Sequence, residues 1–447
     1  MTAPTRPTPR FDRRTVVRAG ATAGLAAASY RVVAQAALAQ GGATPAAERD
    51  IPITGEAPPA LARFDDVMSE LVSSQDIPGA QLAIARGDRL VYNRGFGYAD
   101  VEAGEPVEPG SIFRIASTSK PITAVAILML VDAGELALDT PVFPLLAYDH
   151  LPNAPYDARL DTITVEHLLV HAGGWNSTLG PLYDPQYLPW PLMASHLFGT
   201  ESPAEAETIV RSMLAQPLDF DPGTQSAYSN FGFNVLGRVI EHVSGQPYEQ
   251  FVLDNVLTPA GITSMAIGGT TLEERLPGEV RYYSPPGLAW RESVYPGDGY
   301  VPVGYGSYYL RSLDAHGGWI ASAADLVRFT LAIDGTRGEA LLAPATVTVM
   351  ETTPRPPAAV AGAGNVEESL GLGWNSVPRD DGYEWSHAGA LEGSNASWLV
   401  RRPDGLTLAF VVNSLPTDYG SFFGGTTSAL QALMTMTMDW PDTDLFA

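Results

Sequence analysis

One serine and one lysine have the spacing of a nucleophile and its base. Ser117 precedes Lys120 by three residues, and Lys120 is the only lysine in a chain of 447 residues in which Lys and Arg total 26. Arginine serves every other cationic position, but a guanidinium stays charged, whereas a buried lysine can lose its proton. The lysine therefore indicates proton transfer, and Ser117 with Lys120 forms a candidate activated nucleophile.

An apolar helix is predicted to hold this pair. Residues 121–133 are almost wholly apolar, begin with Pro121 and are followed by Gly134, as is usual at the two ends of a helix. Positions three apart lie on one face of a helical turn, so Ser117 and Lys120 should meet there. The helix N-terminus would add free N–H groups and partial positive charge beside the nucleophile.

A tyrosine and an asparagine could complete the proton path. They lie in the motif Tyr228-Ser229-Asn230, at the head of a second predicted helix. Tyr228 can share the proton with Lys120, because a nearby cation lowers the pKa of a phenol. Asn230 can hold Lys120 and bind a substrate amide.

A predicted strand supplies the remaining groups that acyl transfer requires. His387 and Gly389 lie at its end and are candidate substrate-binding residues. The N–H of the next residue, Ala390, can join the N–H of Ser117 in an oxyanion hole. Nucleophile, base, proton donor and oxyanion donors are therefore all represented.

Each of these residues also has an ordinary structural interpretation. Tyr228 is one of 18 tyrosines, Asn230 would serve as a helix N-cap, and His387 would fit a buried strand. His167 and His171 are four residues apart, as metal ligands can be, but no glutamate follows the first, as the H-E-x-x-H motif requires. We therefore predict no metal and no other cofactor. The sequence also lacks the G-x-S-x-G elbow of α/β-hydrolases.

Taken together, the three motifs resemble the serine β-lactamase and penicillin-binding-protein superfamily, whose signature is S-x-x-K with S-D-N and K-T-G. The Tyr-x-Asn form is similar to the class C branch, with its esterase, D-aminopeptidase and D,D-peptidase relatives. The resemblance covers roughly residues 60–435 and includes three further stretches: 168–174, 316–319 and 371–374. It implies an α/β (α+β) fold, with an antiparallel β-sheet flanked by helices, an all-helical domain beside it and the site between them.

The sequence departs from the β-lactamase pattern at His387. β-Lactamases carry a lysine there, which helps to bind the carboxylate of a β-lactam. A histidine is mostly neutral near pH 7 and would weaken that contact. Glu392 would repel a carboxylate further if it faced the cleft. These differences count against β-lactamase activity but leave acyl-transfer chemistry possible.

The order of predicted elements gives the domain organisation. Residues 40–60 are rich in Gly, Ala and Pro and are predicted to be a linker. Strand patterns occur near both ends of the remaining chain, so residues 61–138 and 312–447 should form one α/β sheet domain. Residues 139–311 are predicted to form an inserted helical domain with long loops.

The N-terminus has the pattern of an export signal. Arg13 and Arg14 precede a small-residue apolar run that Arg31 interrupts, and residues 34–36 and 37–39 both suit a cleavage site. This pattern predicts a twin-arginine signal peptide over residues 1–39 and an exported protein, periplasmic or extracellular. No other stretch is long and apolar enough for a membrane span.

Charge narrows the range of partners. The chain carries a formal net charge of −24, and the first 39 residues hold six arginines and one aspartate, so the remainder is near −29. Nucleic acid is excluded as a partner on this basis, since phosphate binding needs cationic surface. The predicted partner is a small-molecule or short peptide substrate, and the oligomeric state stays open.

The leading hypothesis is an exported serine hydrolase that forms an acyl-enzyme on Ser117. Its expected substrates are uncharged esters or D-amino-acid amides and peptides. A β-lactamase or D,D-carboxypeptidase is the alternative within the same chemistry. A non-catalytic, penicillin-receptor-like binding module is the alternative of another class.

Overall fold

The computed structural model describes residues 51–446, apart from 150, 152–153, 178–183, 185–189, 286, 359–370 and 437–438. The predicted signal peptide, residues 1–39, lies outside the described residues. So do residues 40–50 of the predicted linker, whereas its remainder contains the first strand. The strands are β1 Ile53–Glu56, β2 Gly79–Arg86, β3 Arg89–Asp100, β4 Glu105–Pro106, β5 Phe113–Arg114, β6 Ala266–Ile267, β7 Trp290–Glu292, β8 Tyr300–Pro302, β9 Trp319–Ala321, β10 Asn375–Arg379, β11 Gly382–Leu391, β12 Asn395–Arg401 and β13 Leu406–Val412.

The α-helices are named in the same way. They are α1 Ala62–Ser74, α2 Ser119–Asp132, α3 Val142–Leu146, α4 Val165–Leu169, α5 Trp190–Phe198, α6 Ala206–Met213, α7 Asn230–Ser244, α8 Tyr248–Val252, α9 Ala323–Ala332, α10 Pro344–Thr352 and α11 Tyr419–Met434. Within the described ranges, no helix is both long and apolar enough to cross a membrane.

Strands from both ends of the chain form one antiparallel sheet in the order β1-β3-β2-β13-β12-β11-β10, with β4 beside β3. The central pair, β2 and β13, joins residues that are far apart in sequence, for example Ala83 with Ala409. The predicted fold class, an antiparallel sheet flanked by helices, is confirmed.

Helices cover both faces of this sheet, and the sequence of β2 shows why. Leu82 and Ile84 belong to one apolar cluster, with residues of α1 and α11. Ala83 and Ala85 belong to the other, with residues of α2 and α9. Successive side chains of a strand point to opposite faces, so a strand buried on both faces needs a continuous apolar run.

The part of the chain between α2 and β9 is mainly short helices and loops. Its longest described helix, α7, begins after Ser229, whose side chain accepts a hydrogen bond from the N–H of Gly232. It ends at Gly245, which adopts a φ of 70°. Ser229 is therefore the N-cap, and Asn230, the first residue of α7, has its side chain available for other contacts.

Candidate active site

Lys120 lies wholly buried at the start of α2, with three oxygen atoms around its amine. Nζ donates to Ser117 Oγ at 3.0 Å, to Asn230 Oδ1 at 2.7 Å and to the carbonyl oxygen of His316 at 2.9 Å. The predicted pairing of Ser117 with Lys120 is thus present in the structure. Burial lowers the pKa of Lys120 well below its usual value, and the charge of Asp184 opposes that effect.

This arrangement accommodates both protonation states of the lysine. The carbonyl oxygens of Asn230 and His316 can only accept, so each requires one N–H of Lys120. A neutral amine meets both demands and keeps its lone pair for the hydroxyl proton of Ser117. An ammonium uses its third N–H on Ser117 Oγ. The site can therefore hold the proton on either partner.

A tight turn presents Ser117. Residues Ala116–Thr118 form a 3-10 turn that leads directly into α2. Ala116 has a φ of 47°, which non-glycine residues rarely adopt and which stores a small amount of strain. Such strained positions cluster at functional sites, where the surrounding structure holds them in place.

Side chains of β12 hold that turn against the sheet. Ser397 Oγ donates to the carbonyl oxygen of Ile115 at 2.6 Å and lies 2.8 Å from Thr118 Oγ1. Asn395 Nδ2 donates to the carbonyl oxygen of Arg114 at 2.6 Å. The nucleophile is therefore fixed on both sides by residues from the far end of the chain.

Among the described residues, the end of β11 forms an open edge beside Ser117. β10 pairs with β11 only as far as Ser386, so residues 387–391 have no β10 partner. Pro378 of β10 lies opposite Tyr383 of β11. Because proline has no N–H, these two residues form a non-hydrogen-bonded pair, and the backbone groups of Tyr383 point away from β10. Backbone groups alternate sides along a strand, so those of Ala388 and Ala390 point to the open edge.

Glycine is required where this edge meets the turn. A Cβ atom at Gly389 would lie 2.1 Å from the carbonyl oxygen of Ile115 and 3.0 Å from the backbone nitrogen of Ser117. The strand can approach the nucleophile this closely only without a side chain. The N–H groups of Ser117 and Ala390, the predicted oxyanion donors, consequently lie on neighbouring segments.

Tyr228 lies on the open side of the amine. Lys120 Nζ is 4.7 Å from the centroid of its ring, and 37% of the tyrosine's surface is exposed. Tyr228 therefore lies between the buried amine of Lys120 and the solvent, where its hydroxyl could pass protons from one to the other. The structure places Ser117, Lys120, Tyr228 and Asn230 together.

His171 orients Tyr228, a role that the sequence did not reveal. Its ring lies 4.7 Å from the ring of Tyr228, and its Nδ1 accepts a hydrogen bond from the N–H of Ser229 at 3.2 Å. His167 instead closes the first turn of α4, where its Nδ1 accepts from the N–H of Thr164. The two histidines have separate structural roles, and no group of acidic and histidine residues in the described part of the chain could hold a metal ion.

His387 is buried and neutral. Burial, together with the charges of Lys120 and Arg355, lowers its pKa to about 3. The side chain therefore brings no positive charge to the strand at neutral pH. Its Nδ1 lies 2.8 Å from the carbonyl oxygen of Ala388.

Arg355 is a second cation near the site that sequence analysis missed. Its guanidinium donates to Asn375 Oδ1 at 3.2 Å and to the carbonyl oxygen of Trp374. Burial lowers its pKa to about 10, and the charge of Tyr228 has the opposite effect, so Arg355 stays positive at neutral pH. It lies outside all the motifs described above, so no sequence signal marked it.

Glu392 does not act as a free charge over the cleft. Its carboxylate forms an ion pair with Arg291 of β7. Tyr308 reinforces the contact by donating to the carbonyl oxygen of Glu392 at 3.1 Å. The expected repulsion of a substrate carboxylate by Glu392 is therefore largely compensated, and the turn after β11 is tied to the loops that cover it.

A separate cavity of about 450 Å³ lies beside α7. Its wall includes Arg238, which pairs with Asp314 at 2.6 Å and with Glu241 at 2.8 Å. These charges satisfy one another, and the lining contains neither Ser117 nor Lys120. The chemistry belongs to the site at the start of α2.

Comparison with known proteins agrees with this geometry. The family model described as Beta-lactamase matches residues 64–423. Esterase EstB from Burkholderia gladioli is 30% identical over an alignment of 393 positions, which covers 83% of this chain and 94% of that esterase.

Two solved structures share the fold. The octameric penicillin-binding protein homologue from Pyrococcus abyssi is 24% identical with a TM-score of 0.60, over 84% of this chain and 77% of that chain. D-Amino acid amidase from Ochrobactrum anthropi SV3 is 21% identical with a TM-score of 0.62, over 83% of this chain and 98% of that chain. Since the family match spans most of the sequence and includes Ser117, Lys120, Tyr228 and His387, the chain belongs to the beta-lactamase family of serine hydrolases.

Proposed function

We propose that the protein hydrolyses uncharged esters through an acyl-enzyme on Ser117, with D-amino-acid amides and short peptides as further substrates. The observation that carries this proposal is the 3.0 Å contact between Ser117 Oγ and the buried Nζ of Lys120. A serine hydroxyl is a weak nucleophile until a neighbouring base takes its proton. A lysine whose pKa is lowered by burial can be that base.

In the first step, Ser117 Oγ attacks the carbonyl carbon while its proton passes to Lys120 or onward to Tyr228. The carbonyl oxygen becomes an oxyanion, which the N–H groups of Ser117 and Ala390 stabilise. Collapse of this intermediate breaks the bond to the leaving group, which departs with the proton as an alcohol or amine. The acyl group remains on Ser117.

In the second step, a water molecule attacks the acyl carbon and its proton passes to the same base. The bond to Ser117 Oγ breaks, the carboxylic acid leaves, and the hydroxyl of Ser117 recovers its proton. Tyr228 is suited to move protons at the surface of the site because its ring is partly exposed. Asn230 and the backbone of residues 387–389 hold the substrate against the open edge of β11.

An uncharged substrate is favoured by the neutral His387. The strand offers no cation for a carboxylate, which a β-lactam or a D-alanyl peptide would present. A relative that matches the chain over most of its length is named an esterase. Esters therefore come first among the candidate substrates.

Covalent labelling tests the nucleophile. A fluorophosphonate probe should label the wild-type protein, and Ser117→Ala should abolish labelling without changing the fold. Ser119→Ala is the matched control, because Ser119 is the neighbouring serine and its Oγ accepts a 3.4 Å hydrogen bond from the N–H of Trp319. Undiminished labelling of the Ser117→Ala protein would place the nucleophile elsewhere.

Turnover tests the substrate class. A panel of p-nitrophenyl esters, D-amino-acid anilides and nitrocefin should give the highest kcat/KM with an ester. Preference for nitrocefin would identify a β-lactamase instead. A single burst followed by a trapped adduct would identify a penicillin-receptor-like binding module.

We also propose that the protein is exported by the twin-arginine route. Arg13 and Arg14 precede the small-residue apolar run within residues 1–39. Changing both arginines to lysine should leave the protein in the cytoplasmic fraction of a host with this pathway. Unchanged export of that double variant would exclude the route.

A further inference from the structure

A buried carboxylate is linked to Lys120 through the side chain of Asn230. Asp184 is 8% exposed, and its Oδ2 accepts a hydrogen bond from Asn230 Nδ2 at 2.9 Å. The other end of the same amide, Asn230 Oδ1, accepts from Lys120 Nζ at 2.7 Å. Asp184, Asn230 and Lys120 therefore form a continuous chain of hydrogen bonds.

The direction of this chain is fixed by chemistry. The Nδ2 group of an asparagine can only donate and its Oδ1 can only accept. A carboxylate at one end and an amine at the other thus allow a single orientation of the Asn230 side chain. An anion on the donor side also polarises the amide, so that Oδ1 becomes a better acceptor for Lys120.

We propose that Asp184 is a positioning residue that orients Asn230 and acts through it as the counter-ion of the Lys120 ammonium. The consequence for catalysis, though not the contact itself, rests on the proposed function of Ser117 and Lys120. In the acyl-transfer cycle, Lys120 holds the proton of Ser117 for part of each turnover. A buried ammonium without a compensating charge would be costly, and Asp184 reduces that cost.

The other groups around Lys120 do not supply this charge. His171, His316 and His387 all have their pKa values lowered by burial and by the charge of Lys120, so they are neutral at neutral pH. Arg355 is a cation, and Tyr228 presents the face of its ring. Asp184 is the described carboxylate whose charge raises the pKa of Lys120 against burial.

The single lysine allows a direct test. Because Lys120 is the only lysine in the sequence, protein grown with ¹³Cε-labelled lysine gives one lysine signal, whose chemical shift reports ionisation at this site. Asp184→Asn should lower the midpoint of that titration by about one pH unit, the usual scale for losing a nearby opposite charge. In the pH profile of kcat/KM, the change that reflects ionisation of Lys120 should move to lower pH by the same amount.

Controls separate this effect from a general loss of charge. Asp254→Asn removes one negative charge at an exposed position of the segment after α8 and should leave the lysine midpoint unchanged. Asp184→Ala removes the same charge as Asp184→Asn and leaves room for water, so it carries the test if the asparagine variant does not fold. Asp184→Glu should largely restore the wild-type midpoint.

An unchanged lysine midpoint in the folded Asp184→Asn or Asp184→Ala protein would overturn the proposal. The labelling of Ser117 is measured separately. If the midpoint stays constant while the fluorophosphonate still labels Ser117, only the role of Asp184 is wrong. If the midpoint shifts but Ser117 is not labelled, the counter-ion stands and the proposed function falls.

Discussion

Gly389 on β11 lies directly against the backbone nitrogen of Ser117, although 272 residues separate them in sequence. A Cβ atom at Gly389 would stand 3.0 Å from that nitrogen and 2.1 Å from the carbonyl oxygen of Ile115. Both neighbours are backbone atoms, which cannot turn aside as a flexible side chain could. The distance between the strand edge and the nucleophile is thus set by the absence of a side chain at one residue.

We expect Gly389→Ala to lower kcat/KM at least 100-fold, because the added methyl group must push the turn of Ser117 away from β11. Removing one oxyanion donor costs about 10²–10³ in kcat in serine hydrolases. The measurement is ester hydrolysis, with the rate of fluorophosphonate labelling beside it. Gly424→Ala in α11 is the matched control, since a Cβ there meets nothing within 4 Å. Activity of Gly389→Ala within a factor of three of wild type would show that the two segments can separate freely.

The nucleophile and its base could be predicted from sequence because they are close together. Ser117 and Lys120 are three residues apart, and the apolar run after them marks the helix that brings them into contact. Strand patterns near both ends of the chain were also recognisable, and the paired strands β2 and β13 lie there. Local periodicity was enough in both cases.

The supporting residues could not be found in this way. Asp184 lies in a stretch without helical or strand periodicity, and Arg355 lies just beyond the end of α10. His171 stood out in the sequence through its spacing from His167 and within residues 168–174, and neither pattern indicates its ring contact with Tyr228. Asp184, Arg355 and His171 themselves lie in no helix or strand, so their positions depend on tertiary contacts and not on a repeating pattern.

His387→Lys should raise the ratio of nitrocefin to ester turnover about tenfold. A charge in a partly desolvated site is worth roughly 1–2 kcal/mol, and it would face a carboxylate at the open edge of β11. Lys120 and Arg355 already lie close enough to affect this position, so the variant should also melt at a lower temperature than wild type. His387→Gln, which adds no charge, should leave the ratio near the wild-type value. An unchanged ratio in the lysine variant would mean that this position does not contact the substrate.

Acidification should destabilise the protein through its buried histidines. Burial keeps the pKa of His387 near 3 in the folded state, whereas the unfolded chain takes up a proton near pH 6.5. A folded pKa below the unfolded one means that stability is present above pH 6.5 and is lost as the pH falls from there toward 3. Between pH 6.5 and 5.5 this histidine should cost about 1 kcal/mol of unfolding free energy.

Urea unfolding at pH 7.5, 6.5 and 5.5 measures this loss, and His387→Gln should reduce the change between pH 6.5 and 5.5 by about 1 kcal/mol. His171 and His316, which burial also keeps neutral, should add to the wild-type loss. His196→Gln, at an exposed histidine of α5, is the control for the substitution itself. A wild-type stability that stays flat over this range would contradict the neutral, buried state of the three histidines.

Lys120→Arg looks conservative, because arginine is the cation at every other position of this chain. The amine of Lys120, however, fits among three oxygen atoms at 2.7–3.0 Å in a fully buried space, and a planar guanidinium is larger. Arginine also cannot give up a proton in the working pH range. If Lys120 takes the proton of Ser117, kcat/KM on an ester should fall by about 10²–10⁴-fold, the usual contribution of a general acid–base group.

The control for Lys120→Arg is Lys120→Met. Methionine fills the same buried space without a charge or a proton-accepting group. Both variants should lose activity if proton transfer is the role of the lysine, and thermal melting should show that both are folded. If the lysine acts only as a fixed positive charge, the arginine variant should retain most of the rate that the methionine variant loses. A loss of less than about tenfold in Lys120→Arg, equivalent to about 1.4 kcal/mol, would therefore rule out proton transfer to Lys120 and leave Tyr228 as the base.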